Sequence, residues 1–98
     1  MITTKQRAYL RSIANDIPAL YQIGKNPVGE NNVKTLSDAL EARELVKISV
    51  LETARNSPRE LIDELCACLQ CEPVQVIGRK IVIYRESKNG KKIELPKA

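Results

Sequence analysis

The stretch "VQVIGRKIVIYR", residues 74–85, decides how this chain folds, because two β-branched runs surround a single glycine. The runs cover residues 73–77 and 80–85, and only Gly78 and Arg79 separate them. Glycine in the first position of a two-residue connection is typical of a type II′ turn between antiparallel strands. The stretch therefore predicts a β-hairpin close to the end of the chain.

Two further strands are predicted upstream of the hairpin. In "LVKISVL", residues 45–51, Val46 and Ile48 point to one side and Lys47 and Ser49 to the other. This period of two predicts a strand with one apolar face and one wetter face. A shorter run, residues 19–23, predicts another strand.

Three helices are predicted between these strands. The first begins at a cap, Thr3 or Thr4, and stops at Pro18, and the second covers about residues 31–42. Ser57 followed by Pro58 predicts the start of a third helix, which ends near residue 70. The apolar residues that recur at helical spacing are Leu10, Ile13, Ala14 and Ile17, then Val33, Leu36 and Leu40, then Leu61, Ile62, Leu65 and Leu69.

The predicted order is α-β-α-β-α-β-β, which indicates an α/β fold. Two strand-helix-strand connections predict parallel pairings, and the hairpin adds an antiparallel pair. We therefore expect one two-layer domain over residues 1–98, with a four-stranded mixed sheet and three helices. The basic tail from about residue 86 is expected to be mobile.

The charge of the chain is concentrated at its two ends. The formal net charge is +4, but residues 1–11 carry +3, residues 79–98 carry +5 and the middle carries −4. Such segregation favours a polyanionic partner, and nucleic acid more than a membrane, because no strongly amphipathic basic helix accompanies it. A solubilising surface is the alternative that charge alone leaves open.

Several classes of protein are disfavoured by composition. The chain has no histidine, so it lacks the commonest general base, the partner of Ser and Cys nucleophiles, and the commonest metal ligand. We expect no enzyme, no cofactor and no metal centre. Neither a membrane-spanning apolar run nor a signal-peptide pattern is present, and the odd number of cysteines does not suit a disulfide framework, so a cytoplasmic protein is expected.

The cysteine cluster "CACLQC" is the main chemical alternative. Cys68 and Cys71 form a C-x-x-C, but it lies at a predicted helix end, where the dipole raises rather than lowers a thiol pKa. With Cys66 the cluster offers three ligands, one fewer than a closed zinc site needs. Packing residues are the favoured interpretation, while a thiol-based redox or metal-binding protein remains an alternative. A protein-interaction module without direct RNA binding is another.

The loop "GKNPVG" after the first strand combines parts that suit a phosphate. Gly24 allows a close backbone approach, Lys25 adds a compact cation, and the next helix offers unpaired amides at its positive end. The loop matches neither the Walker pattern nor the dinucleotide-binding pattern. On local sequence alone, a plain turn and a binding loop are both open.

Four segments in order, "TTKQRAYLRSIA", "QIGKN", "DALEARELVKISV" and "VQVIGRKIVIYR", resemble the YhbY-like family over about residues 2–96. The single domain of that family is the CRM RNA-binding module. The resemblance implies a fold similar to the C-terminal domain of bacterial translation initiation factor three. It also implies RNA as the partner, since bacterial members associate with precursors of the large ribosomal subunit and plant organellar relatives assist group II intron splicing.

In that family the loop after the first strand is a G-x-x-G, which is compared with the phosphate-clamping loop of KH domains. Gly24, Lys25 and Asn26 match it, whereas Pro27 at the fourth position has no amide hydrogen to offer. Other cations are expected to share the contact, because the first helix leads by a short turn into the strand that presents the loop. These candidates are Lys5, Arg7 and Arg11 on the first helix and Lys80 and Arg85 on the hairpin.

The sequence thus predicts a monomeric, cytoplasmic RNA-binding protein. It would grip the RNA backbone through the Gly-Lys-Asn loop and a basic surface, and would assist assembly of the large ribosomal subunit by binding precursor ribosomal RNA.

Overall fold

The computed structural model describes residues 2–26, 28–54, 56–88 and 90–97. Its elements follow the predicted order, which confirms the α/β fold with three helices and a four-stranded mixed sheet. They are α1 (Thr4–Ala14), β1 (Tyr21–Ile23), α2 (Glu30–Arg43), β2 (Leu45–Val50), α3 (Pro58–Leu69), β3 (Glu72–Ile77) and β4 (Lys80–Tyr84).

The helix starts follow the predicted capping signals. Thr3 caps α1 and Ser57 caps α3, and each hydroxyl accepts a hydrogen bond from a backbone amide three residues later. In both cases the side-chain oxygen of the Gln or Glu at that third position accepts a hydrogen bond from the backbone amide of the cap, which completes a capping box. Pro58 occupies the first position of α3 as predicted.

The sheet has the strand order β1-β2-β4-β3. β1 lies parallel to β2, as expected, with Ile23 opposite Val50. The second expected parallel pairing, between β2 and β3, is wrong, because β4 lies between them and is antiparallel to both. The reason is that β4 is apolar on both faces. Its last four residues, Ile81, Val82, Ile83 and Tyr84, are all buried, and such a strand needs a central position in the sheet.

The β3–β4 connection has the predicted geometry. Ile77 lies opposite Lys80, so the loop consists of Gly78 and Arg79 alone. Gly78 has a φ of +56°, whereas Arg79 has no positive φ. A positive φ in the first loop position only is the pattern of a type II′ turn.

Helices cover both faces of the sheet, so the expectation of two layers is corrected to three. On one face α2 and α3 pack their apolar residues against Val46, Ile48, Ile81 and Ile83. On the other face α1 packs Leu10 and Ala14 against a second cluster, formed by Leu45, Val74, Val82 and Tyr84. Because neighbouring residues of a strand point to opposite faces, the unbroken apolar run of β4 serves both clusters.

Residues 86–88 and 90–97 form neither helix nor strand, yet they contact the α1 face of the domain. Ile93 and Leu95 pack against the cluster around Leu10, and the side-chain amide of Gln6 donates a hydrogen bond to the Pro96 carbonyl at 3.0 Å. Mobility of this tail stays a prediction; the contacts show where it lies when it is docked.

Glu44, a buried carboxylate just after α2, anchors the tail by several hydrogen bonds. Its two oxygens accept hydrogen bonds from the backbone amides of Ser87 at 2.6 Å, Lys92 at 2.6 Å and Ile93 at 2.7 Å. Burial by itself raises the pKa of this carboxyl, but the three amides and the Lys92 charge outweigh burial and hold the pKa below its ordinary value. Glu44 also has a φ of 65°, so it bends the chain from α2 into β2.

Candidate nucleic-acid interface

One end of the sheet brings together the loop after β1, the segment after β2 and the β3–β4 turn. The amide of Leu51 donates to the Ile23 carbonyl at 2.8 Å, and the Val50 amide donates to the Arg79 carbonyl at 2.7 Å. We call this region, residues 24–26, 51–54 and 78–80, the loop end. The opposite end, where β2 and β3 begin and β4 finishes, is called the far end.

The predicted Gly-Lys-Asn loop is open to solvent at the loop end. The side chains of Lys25 and Asn26 are exposed. The Asn26 carbonyl accepts hydrogen bonds from the Gly29 amide at 3.0 Å and from the Asn32 side chain at 2.8 Å, which fixes the turn into α2. Pro27, the departure from the G-x-x-G pattern, lies outside the described residues.

The start of α2 has no side-chain cap. Gly29 is the capping residue and supplies no side-chain hydrogen bond. The first amides of an uncapped helix, with the positive end of the helix dipole, can accept an anion. Glu30 in the first turn opposes this field in part. A phosphate placed here would also meet the Lys25 ammonium.

Gly24 is required by close packing and not by an unusual φ. A Cβ at this position would lie 2.7 Å from the Thr53 hydroxyl oxygen and 3.5 Å from the Cδ1 of Leu51. The glycine therefore lets β1 end directly against the segment that follows β2.

Replacing Gly24 with alanine should lower the free energy of unfolding by up to about 1 kcal/mol, because the new methyl group forces the exposed Thr53 hydroxyl to rotate away. Urea denaturation of Gly24→Ala, Thr53→Ala and the double variant would measure it. We expect the double variant to recover most of the loss, since Thr53→Ala removes the clashing oxygen. Losses that simply add would contradict a clash between these two residues.

Arg79 holds the hairpin turn against the end of β2. Its Nε donates to the Val50 carbonyl at 2.9 Å, and one terminal nitrogen donates to the Leu51 carbonyl at 2.7 Å. From the sequence, Arg79 could be identified only as a turn residue. Its hydrogen bonds to carbonyls at the end of β2 join residues distant in sequence, and no local pattern predicts them. Its role in the structure is to position the turn beside Gly24.

The sheet face next to this turn is largely open to solvent and carries polar side chains together with the exposed Ile77. Strand register places Gln22 opposite Ser49, Ser49 opposite Lys80 and Lys80 opposite Ile77, so the four side chains cross the sheet in one row. Lys47 lies on the same face, two residues before Ser49, and lines a small hollow of about 130 Å³ together with Lys80. Lys80 thus connects the loop end to this open face. Lys47 and Ser49, which the sequence marked only as the wetter strand face, lie on it, and so does Gln22, which no sequence pattern marked.

The arginines of α1 lie at a different place, beside the outer edge of β3. Arg7 donates from Nε to the Pro73 carbonyl at 2.9 Å, and Arg7 and Arg11 line a groove of about 390 Å³. Arg59, near the start of α3, completes this groove. β3 and β1 are the two edges of the sheet, three strand spacings or roughly 14 Å apart. The arginine groove and the Lys25 loop are thus separate basic regions of one domain.

Lys5 and Arg85 lie at the far end. Lys5 is exposed in the first turn of α1, close to where the Ile2 amide approaches Glu72 at the start of β3. The expectation that the whole of α1 would present its cations beside the loop is therefore corrected for Lys5. The physical reason is that α1 runs along β3 on the opposite face from α2, so that only its last residues approach the loop end.

The Arg85 guanidinium is bound within the domain. It donates to the carbonyls of Leu69 at 2.9 Å and Ser37 at 3.1 Å, and it pairs with the Glu41 carboxylate at 3.3 Å. Only 18% of its side chain is exposed. Arg85 joins α2, α3 and the end of β4, roughly 17 Å along the strand from Lys80.

The two cysteines that share C-x-x-C spacing, Cys68 and Cys71, are not the pair that lies in contact. The Cys66 and Cys71 sulfurs lie 3.3 Å apart, whereas Cys68 is exposed. Within the described ranges, no group of three or more His, Cys, Asp or Glu side chains could hold a metal ion. Among the helices of that same part of the chain, none is long and apolar enough to cross a bilayer.

A family model for the CRS1/YhbY (CRM) domain matches residues 2–85. The chain belongs to the CRS1/YhbY (CRM) family. This confirms the resemblance that the four sequence segments indicated.

Relatives of this CRM chain align over nearly all of its length. It is 43% identical over 96 residues to the "Probable RNA-binding protein YqeI" of Bacillus subtilis, covering 98% of this chain and 100% of that protein. It is 30% identical over 86 residues to the "Probable RNA-binding protein PA4753" of Pseudomonas aeruginosa, covering 88% and 83%. It is also 29% identical over 96 residues to an RNA-binding protein of Haemophilus influenzae, covering 98% and 96%.

A solved structure has the same fold. The solution structure of the hypothetical protein SAV1595 from Staphylococcus aureus, for which RNA binding has been put forward, is 50% identical and superposes with a TM-score of 0.81. The match covers 98% of this CRM chain and 100% of that protein. These relatives are named for RNA binding, and membership of this RNA-binding family agrees with the prediction of a non-enzymatic protein.

Proposed function

We propose that this CRM domain is an RNA-binding protein that contacts RNA phosphates at the loop end. The carrying observation is the combination of family membership with an exposed Lys25 beside the uncapped start of α2. Relatives aligned over the whole chain are named RNA-binding proteins, and this chain keeps the Gly-Lys-Asn loop in a solvent-open position.

In the proposed mode, one phosphate lies between the Lys25 ammonium and the first amides of α2. Lys80 and Lys47 would contact the next phosphates along the open sheet face, where Gln22 and Ser49 offer hydrogen bonds to sugars or bases. Arg7, Arg11 and Arg59 form a second basic region that a longer RNA could reach around the β3 edge. Lys5 and Arg85 are outlying candidates in this arrangement.

The RNA we propose is ribosomal RNA in a precursor of the large subunit, bound by a monomeric protein in the cytoplasm, where it assists assembly. The YhbY-like resemblance supports this proposal. Crosslinking in cells followed by sequencing of the attached RNA would test it, and reads dominated by other RNA classes would count against it.

Changing Lys25 to glutamate is expected to weaken RNA binding by at least about tenfold near 0.1 M salt, because it places a negative charge at a phosphate site. For the unchanged protein, a contact with four to six phosphates predicts a log–log salt slope of magnitude about 3 to 5, and the variant should lose about one unit or more. Filter binding against salt concentration with a structured ribosomal RNA fragment measures both quantities.

The matched control is Lys5→Glu, which makes the same charge change at the far end. We expect it to reduce affinity by no more than about threefold, through long-range charge alone. Equal losses of RNA affinity in Lys25→Glu and Lys5→Glu would show that the net charge of the protein, and not the loop, governs binding. A nearly flat salt response of the unchanged protein would remove the phosphate mechanism.

A further inference from the structure

We propose that Cys66 and Cys71 form a redox-active dithiol, which a hydroperoxide converts into an intramolecular disulfide and which a thiol reductant reopens. This proposal does not rest on RNA binding, because the pair lies at the far end, next to Arg85 and away from the Lys25 loop.

The two sulfurs are held close by the backbone at the end of α3. The Sγ atoms are 3.3 Å apart, and a disulfide bond requires about 2.05 Å, so closure needs a relative movement of roughly 1.2 Å. Gln70 adopts the left-handed conformation with a φ of 54°, which turns the chain back after the helix. The Cys71 amide then donates to the Cys66 carbonyl at 3.2 Å. The fold therefore positions this pair in its reduced form.

The pairing differs from the one that sequence spacing suggests. Cys68 and Cys71 have C-x-x-C spacing, but Cys68 lies on an exposed part of α3. Cys66 is partly buried and Cys71 is 7% exposed. Within the close pair, Cys71 is therefore buried and Cys66 remains partly accessible, with the two sulfurs in contact.

The surroundings favour Cys71 as the thiolate. The hydrogen bond shared with Cys66 lowers the pKa of Cys71, and the Arg85 charge lowers it further, although burial opposes both. The same hydrogen bond, together with burial, raises the pKa of Cys66, so Cys66 keeps its proton. The positive charge of Arg85 thus favours Cys71 as the attacking thiolate, with Cys66 as the neighbouring thiol that completes the disulfide.

The chemistry is a two-electron oxidation in two steps. The Cys71 thiolate attacks one oxygen of the hydroperoxide, the O–O bond breaks, and the second oxygen leaves as an alkoxide or hydroxide that takes up a proton. The Cys66 sulfur then attacks the sulfenic acid at Cys71 and displaces its oxygen as water. Overall two thiols and one hydroperoxide give a disulfide, an alcohol or water, and one further water.

The experiment uses the full chain with the change Cys68→Ser, so that only the proposed pair remains. Trypsin releases residues 60–79 as one peptide that holds both cysteines, because no Lys or Arg lies between Arg59 and Arg79. After a small excess of hydrogen peroxide, we expect this peptide to lose about 2 Da and both alkylatable thiols, and dithiothreitol to restore them. The oxidised protein should remain monomeric on a non-reducing gel.

The control is Cys66→Ser in the same background, with folding verified by circular dichroism. It should gain oxygen on Cys71 or form intermolecular disulfides, since the resolving thiol is absent. The proposal fails if the Cys68→Ser peptide gains oxygen without losing 2 Da. It also fails if both thiols stay alkylatable under conditions that oxidise free cysteine.

Discussion

Replacing Glu44 with alanine is expected to lower the free energy of unfolding by about 3 to 5 kcal/mol, the largest effect we predict for this domain. The carboxylate is buried, and its removal leaves the amides of Ser87, Lys92 and Ile93 without their acceptor. It also releases residues 86–97 from the end of α2. For a domain of this size such a loss corresponds to a fall in Tm of more than about 12 °C.

Thermal and urea unfolding at neutral pH would measure the loss. The matched control is Glu86→Ala, which removes an acid of the same tail whose 3.7 Å pair with Lys91 is largely exposed. An exposed pair contributes about 0 to 1 kcal/mol, so the control should remain close to the unchanged protein. Similar stabilities for the two variants would contradict an anchoring role for Glu44.

The pH dependence provides a second readout of the same carboxyl. The folded state holds the Glu44 pKa below its ordinary value of 4.5, so the unfolded chain takes up the proton first. The stabilisation is therefore complete above about pH 4.5 and is lost as the pH falls through the lower pKa of the folded state. In Glu44→Gln this acid-sensitive part should be absent.

Replacing Arg85 with methionine is expected to cost about 2 to 4 kcal/mol of stability. The long apolar stem is kept, but the Leu69 carbonyl loses its guanidinium donor, and Ser37 and Glu41 each lose one charge-assisted hydrogen bond in a partly buried place. Leu69 is the last residue of α3, whose terminal carbonyls depend on such donors.

Arg85 could stabilise the fold or contact RNA. Chemical denaturation together with RNA titration would separate these two roles. Lys80→Met is the matched comparison, since it removes one exposed cation from the loop end of the same strand. We expect Arg85→Met to lose stability and keep RNA affinity while it is folded, and Lys80→Met to do the reverse. A large loss of affinity in folded Arg85→Met would instead show that this arginine contacts RNA.

The sequence predicted the elements well because their signals are local. Thr3 and Ser57 cap helices through bonds to residues three positions away, and Gly78 alone determines the turn type. The position of β4 between β2 and β3 was not predicted. Strand order depends on which strand must be buried on both faces. This can be decided only by comparing all four strands, and not from any one of them.

The candidate site was predicted only where its residues are consecutive. Gly24, Lys25 and Asn26 follow a strand and precede a helix, so a loop at this position followed from the pattern, and Lys25 and Asn26 are exposed in it. The other cations depend on the path of α1 across the sheet, which separates Lys5 from Lys25. The roles of Glu44 and Arg85 depend on contacts between residues 16 to 49 positions apart in sequence, which no spacing rule indicates.

The two outer strands limit how this sheet can grow. β1 has only three residues, and in β3 Pro73 has no amide hydrogen, its carbonyl is occupied by Arg7, and the register shifts before Gln75. The short β1 and the irregular start of β3 both work against regular pairing with an incoming strand. Recognition of other molecules by this domain is thereby left to its loops and side chains, and recruitment of an additional strand is disfavoured.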